Sequence, residues 1–102
     1  MIARIWHGWT APADADAYEE FLRTVMFPSM RRVAGFRGAE LLRREDGDEI
    51  AFITITRFDS LDAVREFAGE DYERAVIEPE AKALLTRYDD RSDHYSVVIV
   101  DT

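Results

Sequence analysis

The segment from Glu49 to Phe58 most constrains the fold, because it predicts a strand with two apolar or β-branched faces. The faces are formed by Ile50, Phe52, Thr54, Thr56 and Phe58 and by Ala51, Ile53 and Ile55. Such a strand belongs in a sheet that is covered on both sides. A sheet covered on one side only would leave a large exposed apolar patch, which favours association.

Three further segments predict strands, because they are rich in β-branched and aromatic residues. They are residues 2–9, residues 36–44 and, near the end of the chain, about residues 94–100. Between the second and third strands stands Asp46-Gly47, the strongest short signal for a β-hairpin. We therefore expect four strands, of which the second and third are joined as a hairpin.

The first helix is predicted to begin near Asp14 and has an acidic first turn, which suits the positive end of a helix dipole. Apolar residues follow at the spacing of one buried helix face. They are Tyr18, Phe21, Leu22, Val25, Met26 and, further on, Met30. Because Pro28 lies inside this pattern, we expect a kink or a break near Phe27.

The second helix is predicted to have Asp59 or Ser60 as its N-cap and to end at Gly69, and Pro79 can open a further short helix. The element order β-α-β-β-α-β, with right-handed crossovers, gives a ferredoxin-like α+β fold: an antiparallel sheet with helices on one face. Because these helices cover one face only, we expect a homodimer packed sheet against sheet. A monomer with a polar outer face is the alternative.

Composition limits the classes of partner. The net charge of −8 argues against nucleic acid and anionic membranes, since both require a basic surface. The absence of cysteine excludes disulfides and thiolate metal sites, and no phosphate-binding glycine motif is present, so we expect neither a metal nor a cofactor. No apolar run approaches the ~20 residues of a membrane span, and no signal peptide is evident, so we expect a cytoplasmic protein.

The two histidines, His7 and His94, lie on the first and last predicted strands, which are antiparallel neighbours in this fold. We predict that they face each other, about 5 Å apart at Cβ, as an acid–base or ligand-holding pair. The alternative is two half-buried histidines bonded to tyrosine or carboxylate. Tyr72 is a candidate hydrogen-bond donor, because a phenol with a pKa near 10 stays protonated at neutral pH; the alternative is a surface tyrosine.

Four apolar residues are candidates for ligand binding. Trp6 and Trp9 have opposite parity on the first strand, so one is expected to face the helices and the other the partner sheet or the strand end. Together with Met26 and Phe67 they could line a wall for a flat aromatic ligand. Packing in the core or in the dimer interface is the alternative for all four.

Several motifs carry a resemblance that extends over the whole chain. They are residues 2–10, residues 58–65, residues 67–75 and the pair His94-Tyr95. With the element order, these motifs resemble the antibiotic biosynthesis monooxygenase superfamily of dimeric α+β barrels. The resemblance implies a single domain over residues 1–102, with a pocket between helices and sheet in each subunit.

The superfamily includes cofactor-free oxygenases of aromatic polyketides and haem-degrading oxygenases. The haem degraders use an asparagine on the first strand, a tryptophan on the second helix and a histidine further along. This chain has no asparagine, and Phe67 and Val76 stand near the other two places. The resemblance therefore implies cofactor-independent oxygenation of a small aromatic or polyketide-like substrate. The alternative is a non-catalytic homodimer that binds a small ligand or haem.

Overall fold

The computed structural model describes all residues 1–102 and contains a five-stranded antiparallel sheet with helices on one face. The strands are β1 (Ile2–Thr10), β2 (Phe36–Asp46), β3 (Glu49–Phe58), β4 (Leu85–Tyr88) and β5 (Asp93–Ser96). The helices are α1 (Ala15–Phe21), α2 (Phe27–Met30), α3 (Leu61–Ala68) and α4 (Pro79–Leu84), with a 3-10 turn at Pro12–Asp14 and a π-helical turn at Leu22–Met26. The predicted α+β class is confirmed.

β3 lies at the centre of the sheet, where it pairs with β2 on one side and with β1 on the other. The predicted hairpin joins β2 and β3 through a two-residue loop, since Asp46 pairs directly with Glu49. Gly47 has φ +60° and supplies the left-handed residue that opens a type II′ turn. The residues of β3 that face the helices are all buried: Ile50, Phe52, Thr54, Thr56 and Phe58.

The first helical region changes its hydrogen bonding next to Pro28, where a kink or a break was expected. The Phe27 N–H donates to the carbonyl of Leu22, five residues earlier, as in a π-helix. Proline has no N–H and its ring crowds the carbonyl of the residue four positions before it, so a wider turn relieves the clash. The wider turn also rotates the buried face. Val25, predicted to be buried, is 46% exposed, whereas Met30 is buried.

The prediction for the last strand was wrong in two respects. A separate strand at Leu85–Tyr88 precedes it, and β5 itself covers only Asp93–Ser96. The Val97 N–H donates to the carbonyl of Met1 at 2.9 Å, so the residues after it have no strand of this chain beside them. A β-branched run needs a neighbouring strand as well as a favourable composition. The residues left exposed are Val98, Ile99 and Val100.

The face of the sheet opposite the helices has no cover within the chain. Its residues on β1 and β3 are only half-buried, namely Ala3, Ile5, His7, Trp9, Ala51, Ile53 and Ile55. On β2, Leu42 pairs with Ile53 and is 45% exposed. The two-sided apolar pattern of β3 is therefore matched by a cover on one side only. None of the helices is both long and apolar enough to cross a membrane.

The N-cap of α3 provides a test of the local fold. The Ser60 hydroxyl accepts a hydrogen bond from the Ala63 N–H at 3.2 Å. Ser60→Ala removes this acceptor and is expected to lower the free energy of unfolding by about 1 kcal/mol. Ser60→Asp keeps an acceptor and should remain close to the wild type. Urea denaturation measures both, and equal stability of Ser60→Ala and the wild type would contradict the assignment of this cap.

Candidate functional site

A small cavity lies between the helices and the inner face of the sheet. Its floor includes Arg4 and Trp6 from β1 and Thr54 from β3, while Met26 and Phe67 line it from the helix side. The volume is about 30 Å³. That space holds a water molecule or two but no aromatic ring. The cavity must therefore open before it can admit an aromatic ligand.

Strand parity on β1 places Trp6 in this cavity. Trp6 is 9% exposed, and its Nε1–H donates to the carbonyl of Asp89 at 2.7 Å. The hydrogen bond fixes the indole between the sheet and the turn after β4. Gly8 is required beside it, because a Cβ there would lie 2.7 Å from the Trp6 ring. The indole therefore presents a rigid apolar surface to the cavity.

Trp9 and His7 lie on the opposite face of the sheet, in a groove of about 410 Å³. The Trp9 Nε1–H donates to the Asp46 carboxylate at 3.0 Å, and the Arg87 guanidinium lies 3.8 Å from the centre of the indole ring. The two tryptophans thus lie on opposite faces of the sheet, as their alternation along β1 predicted. Trp9 and His7 do not line the cavity beneath the helices.

The predicted pairing of the two histidines across strands was wrong. His94 on β5 is the cross-strand partner of Arg4, whereas His7 is paired with Ile53 on β3. Cross-strand partners point to the same face, so His94 lies on the helix side with Arg4, and His7 lies on the other side. The sequence could not show this, because the turn between β4 and β5 sets the register of the last strand.

Arg4 is a buried cation without a counter-ion. Its residue is 5% exposed, and it takes part in none of the ion pairs of the molecule. One guanidinium nitrogen donates to the carbonyls of Tyr72 and Arg74, at 3.3 and 2.9 Å, while Nε has no partner. Burial lowers the pKa of Arg4 to about 10, so the side chain stays charged at neutral pH. Arg4 therefore brings a buried positive charge to the cavity, whose roof also contains the exposed Glu78.

Two hydroxyl groups contribute to the polar side of the cavity. Thr54 is 5% exposed, and its Oγ1 makes no hydrogen bond. Burial raises the pKa of Tyr18, so this phenol is neutral at any physiological pH. The nearby Thr54 hydroxyl offsets part of that rise, although the two groups do not reach hydrogen-bond geometry. A ligand would thus meet neutral hydroxyls beside a charged guanidinium.

His94 and Tyr72 form a second layer next to Arg4, outside the cavity lining. Their rings meet edge to face, with centroids 5.0 Å apart. Both ring nitrogens of His94 are shielded from solvent and have no hydrogen-bond partner. Burial lowers the pKa of His94, and the positive charge of Arg4 lowers it further. The imidazole is therefore neutral at neutral pH and has a free nitrogen that can accept a proton.

The segment Val76-Ile77-Glu78, between α3 and α4, forms the roof of the cavity. None of its three backbone N–H groups donates a backbone hydrogen bond, whereas the preceding Ala75 N–H donates to the carbonyl of Asp90 at 2.8 Å. Segments with few backbone hydrogen bonds open at lower cost than the rest of a fold. The roof is therefore the part of the wall that moves most easily to admit a ligand.

Trp6, Met26 and Phe67, three of the predicted ligand-binding residues, line this one cavity, together with Arg4 and Thr54, which sequence reasoning did not single out. Strand alternation could have identified both residues. Arg4 lies on the same face of β1 as Trp6, and Thr54 lies on the same face of β3 as the buried Phe52 and Phe58. No group of three or more His, Asp or Glu side chains is positioned to hold a metal ion.

The sequence matches the model of the antibiotic biosynthesis monooxygenase family over residues 1–79. No curated protein matches this chain. Several solved structures share its fold over nearly their whole length. The haem degrader MhuD from Mycobacterium tuberculosis is 20% identical, with all of both chains covered and a TM-score of 0.62.

Two further structures extend the comparison. A proposed antibiotic biosynthesis monooxygenase from Bacillus cereus is 12% identical, with 99% of this chain and 96% of that chain covered and a TM-score of 0.66. The cofactor-independent oxygenase SnoaB from Streptomyces nogalater is 26% identical, with 99% and 95% covered and a TM-score of 0.52. Because the family model spans most of the sequence, the chain belongs to the antibiotic biosynthesis monooxygenase family.

Proposed function

We propose that this protein binds a small aromatic, polyketide-like molecule beneath its helices and oxygenates it without a cofactor. The observation that carries this proposal is the cavity, where Trp6, Met26 and Phe67 form an apolar wall next to a neutral, unbonded imidazole at His94. Membership of the family and the fold shared with SnoaB support the reaction type.

Binding is the first step. An apolar pocket with few polar groups favours a flat aromatic ring, and aromatic side chains contribute most of the contact area. Trp6 is held by its hydrogen bond to the Asp89 carbonyl, while Phe67 packs against Phe58 with ring centroids 5.9 Å apart. Both rings are thus held in place before a ligand arrives. Admission of the ring requires displacement of the roof at Val76–Glu78.

Proton removal is the second step. A phenol or enol that loses its proton becomes electron-rich enough to reduce dioxygen, so the substrate itself supplies the electrons. One oxygen atom then enters the ring as a carbonyl, in place of two hydrogens, and the other leaves as water. His94 is the group we assign as the base, because it is neutral and unbonded and is the cross-strand partner of Arg4, which lines the cavity. Tyr72 packs edge to face against its ring. The opening that admits the substrate must also bring it within reach of His94. The enclosed cavity keeps water away from the reactive anion.

Haem is a ligand of MhuD, but the residues of this chain do not fit it. Val76, rather than a histidine, lies in the roof, near the place of the haem degraders' histidine. Histidine is a common axial ligand of haem iron. We therefore do not assign haem as the ligand of this cavity. Binding of an aromatic ligand without turnover remains the alternative that the following experiment separates.

Oxygen uptake with anthrone and hydroquinone substrates tests the reaction. We expect the wild type to consume oxygen faster than buffer, and His94→Phe to lower the rate by about a hundredfold. His7→Phe is the matched control and should retain activity, because His7 lies on the other face of the sheet. The rate should fall as pH drops through the lowered pKa of His94, since the protonated ring cannot accept a proton.

No uptake above buffer across these substrates would contradict oxygenation of them. Tight binding of a substrate without uptake would support the non-catalytic alternative. Equal loss of rate in His94→Phe and His7→Phe would show that neither imidazole acts as the base within this cavity.

We propose further that a second copy of the chain covers the outer face of the sheet, as in a dimeric α+β barrel. This face carries the half-buried apolar row of β1 and β3, together with Leu42. A patch of this kind on a lone chain would favour association. His7 and Trp9 are assigned to this interface rather than to the substrate site.

A matched pair of variants tests the dimer. Leu42 on the outer face and Val25 on the helix side are 45% and 46% exposed. We expect the wild type to sediment at about twice the chain mass of 11.8 kDa. Leu42→Glu should sediment as a single chain, because it places a charge in the apolar interface, while Val25→Glu should remain a dimer. A wild type that sediments as a single chain at micromolar concentration would contradict the proposal.

A further inference from the structure

We infer that Arg4 and Thr54 bind an anionic oxygen of the ligand, so that the cavity selects aromatic acids over neutral rings of the same shape. This inference rests on the proposed function and names the class of ligand that the site recognises. It starts from the charge of Arg4. Each of the other arginines is exposed to solvent or forms an ion pair, whereas Arg4 is 5% exposed and unpaired.

A buried charge without a partner destabilises a fold, so a chain under selection for stability alone would not retain it. The chain is rich in acidic residues, 21 against 13 basic ones, yet none of them forms an ion pair with Arg4. Glu78 also lines the cavity, but it is exposed and makes no ion pair with Arg4, so the missing negative charge is best supplied by a ligand that enters the cavity. Stability given up at a binding site in this way is common in natural proteins.

The free donors of the site lie close to each other. Arg4 is the cross-strand partner of Thr56, and Thr54 is the partner of Trp6, so Arg4 and Thr54 are diagonal neighbours on one face of the sheet. Arg4 holds the backbone of Tyr72 through one nitrogen and leaves Nε free, and Oγ1 of Thr54 is free as well. Both donors are buried and both belong to residues that line the cavity.

An ordered water could accept these two hydrogen bonds, but it would leave the positive charge uncompensated. A carboxylate, phenolate or enolate oxygen satisfies the donors and the charge together, and charge-assisted hydrogen bonds are about twice as strong as neutral ones. Phe67 lies 5.4 Å from the Arg4 guanidinium carbon, and Trp6 lines the same cavity. The ring of the ligand is therefore expected beside these aromatic groups, with its anionic oxygen on Arg4.

Calorimetric titration with 2-naphthoate and its neutral isostere 2-naphthamide tests this inference. We expect the wild type to bind the carboxylate roughly tenfold or more tightly than the amide. Arg4→Met retains an unbranched apolar side chain without charge, and should lose the preference while still binding the amide. Thr54→Val keeps the shape of the side chain and should reduce the preference by a smaller factor.

Binding of the amide by Arg4→Met shows that its cavity is folded. Equal affinity of the wild type for the two probes would overturn the inference, as would an unchanged preference in Arg4→Met. The latter result would place the anion outside this cavity. Binding of neither probe would also overturn it. Oxygen uptake tests the proposed function independently, so failure of one is distinguishable from failure of the other.

Discussion

Arg4 carries a positive charge into the layer between sheet and helices, where it is 5% exposed and forms no ion pair with a carboxylate. The charged side chain acts on two neighbouring parts of the structure, the loop after α3 and His94. Its hydrogen bonds to the carbonyls of Tyr72 and Arg74 tie the loop after α3 to β1. Its field adds to the burial that keeps His94 neutral. A cation, a neutral imidazole and an apolar wall thus stand within one small region, and our proposal of an acidic aromatic ligand rests on this combination.

Alternation along β1 and β3 divides the molecule into two functional sides. Even-numbered residues on these strands face the helices, whereas odd-numbered ones face outward. Four of the even-numbered residues line the cavity, namely Arg4, Trp6, Thr54 and Thr56. A single strand therefore supplies both Trp6 to the cavity and Trp9 to the outer surface. β3 is apolar on both faces, and the helices of the chain cover only one of them. The outer face therefore needs a second cover, which we propose to be another copy of the chain.

Periodicity predicted the first three strands, the hairpin and α3, since each pattern there is local. The errors arose where a side chain's place depends on more than a regular local period. Val25 is exposed because the turn before Pro28 widens, and Val98 has no neighbouring strand left to pair with. The face of His94 follows from a turn that periodicity does not describe. Arg4 was missed because a buried, unpaired charge is unfavourable unless function requires it.

A crystal structure of the protein in complex with 2-naphthoate would test the central claim most directly. The account predicts the ring beside Trp6 and Phe67, the carboxylate within hydrogen-bond distance of Arg4 Nε and Thr54 Oγ1, and the roof at Val76–Glu78 displaced. A ligand seated on the outer face of the sheet, with the cavity closed and Arg4 unchanged, would contradict it.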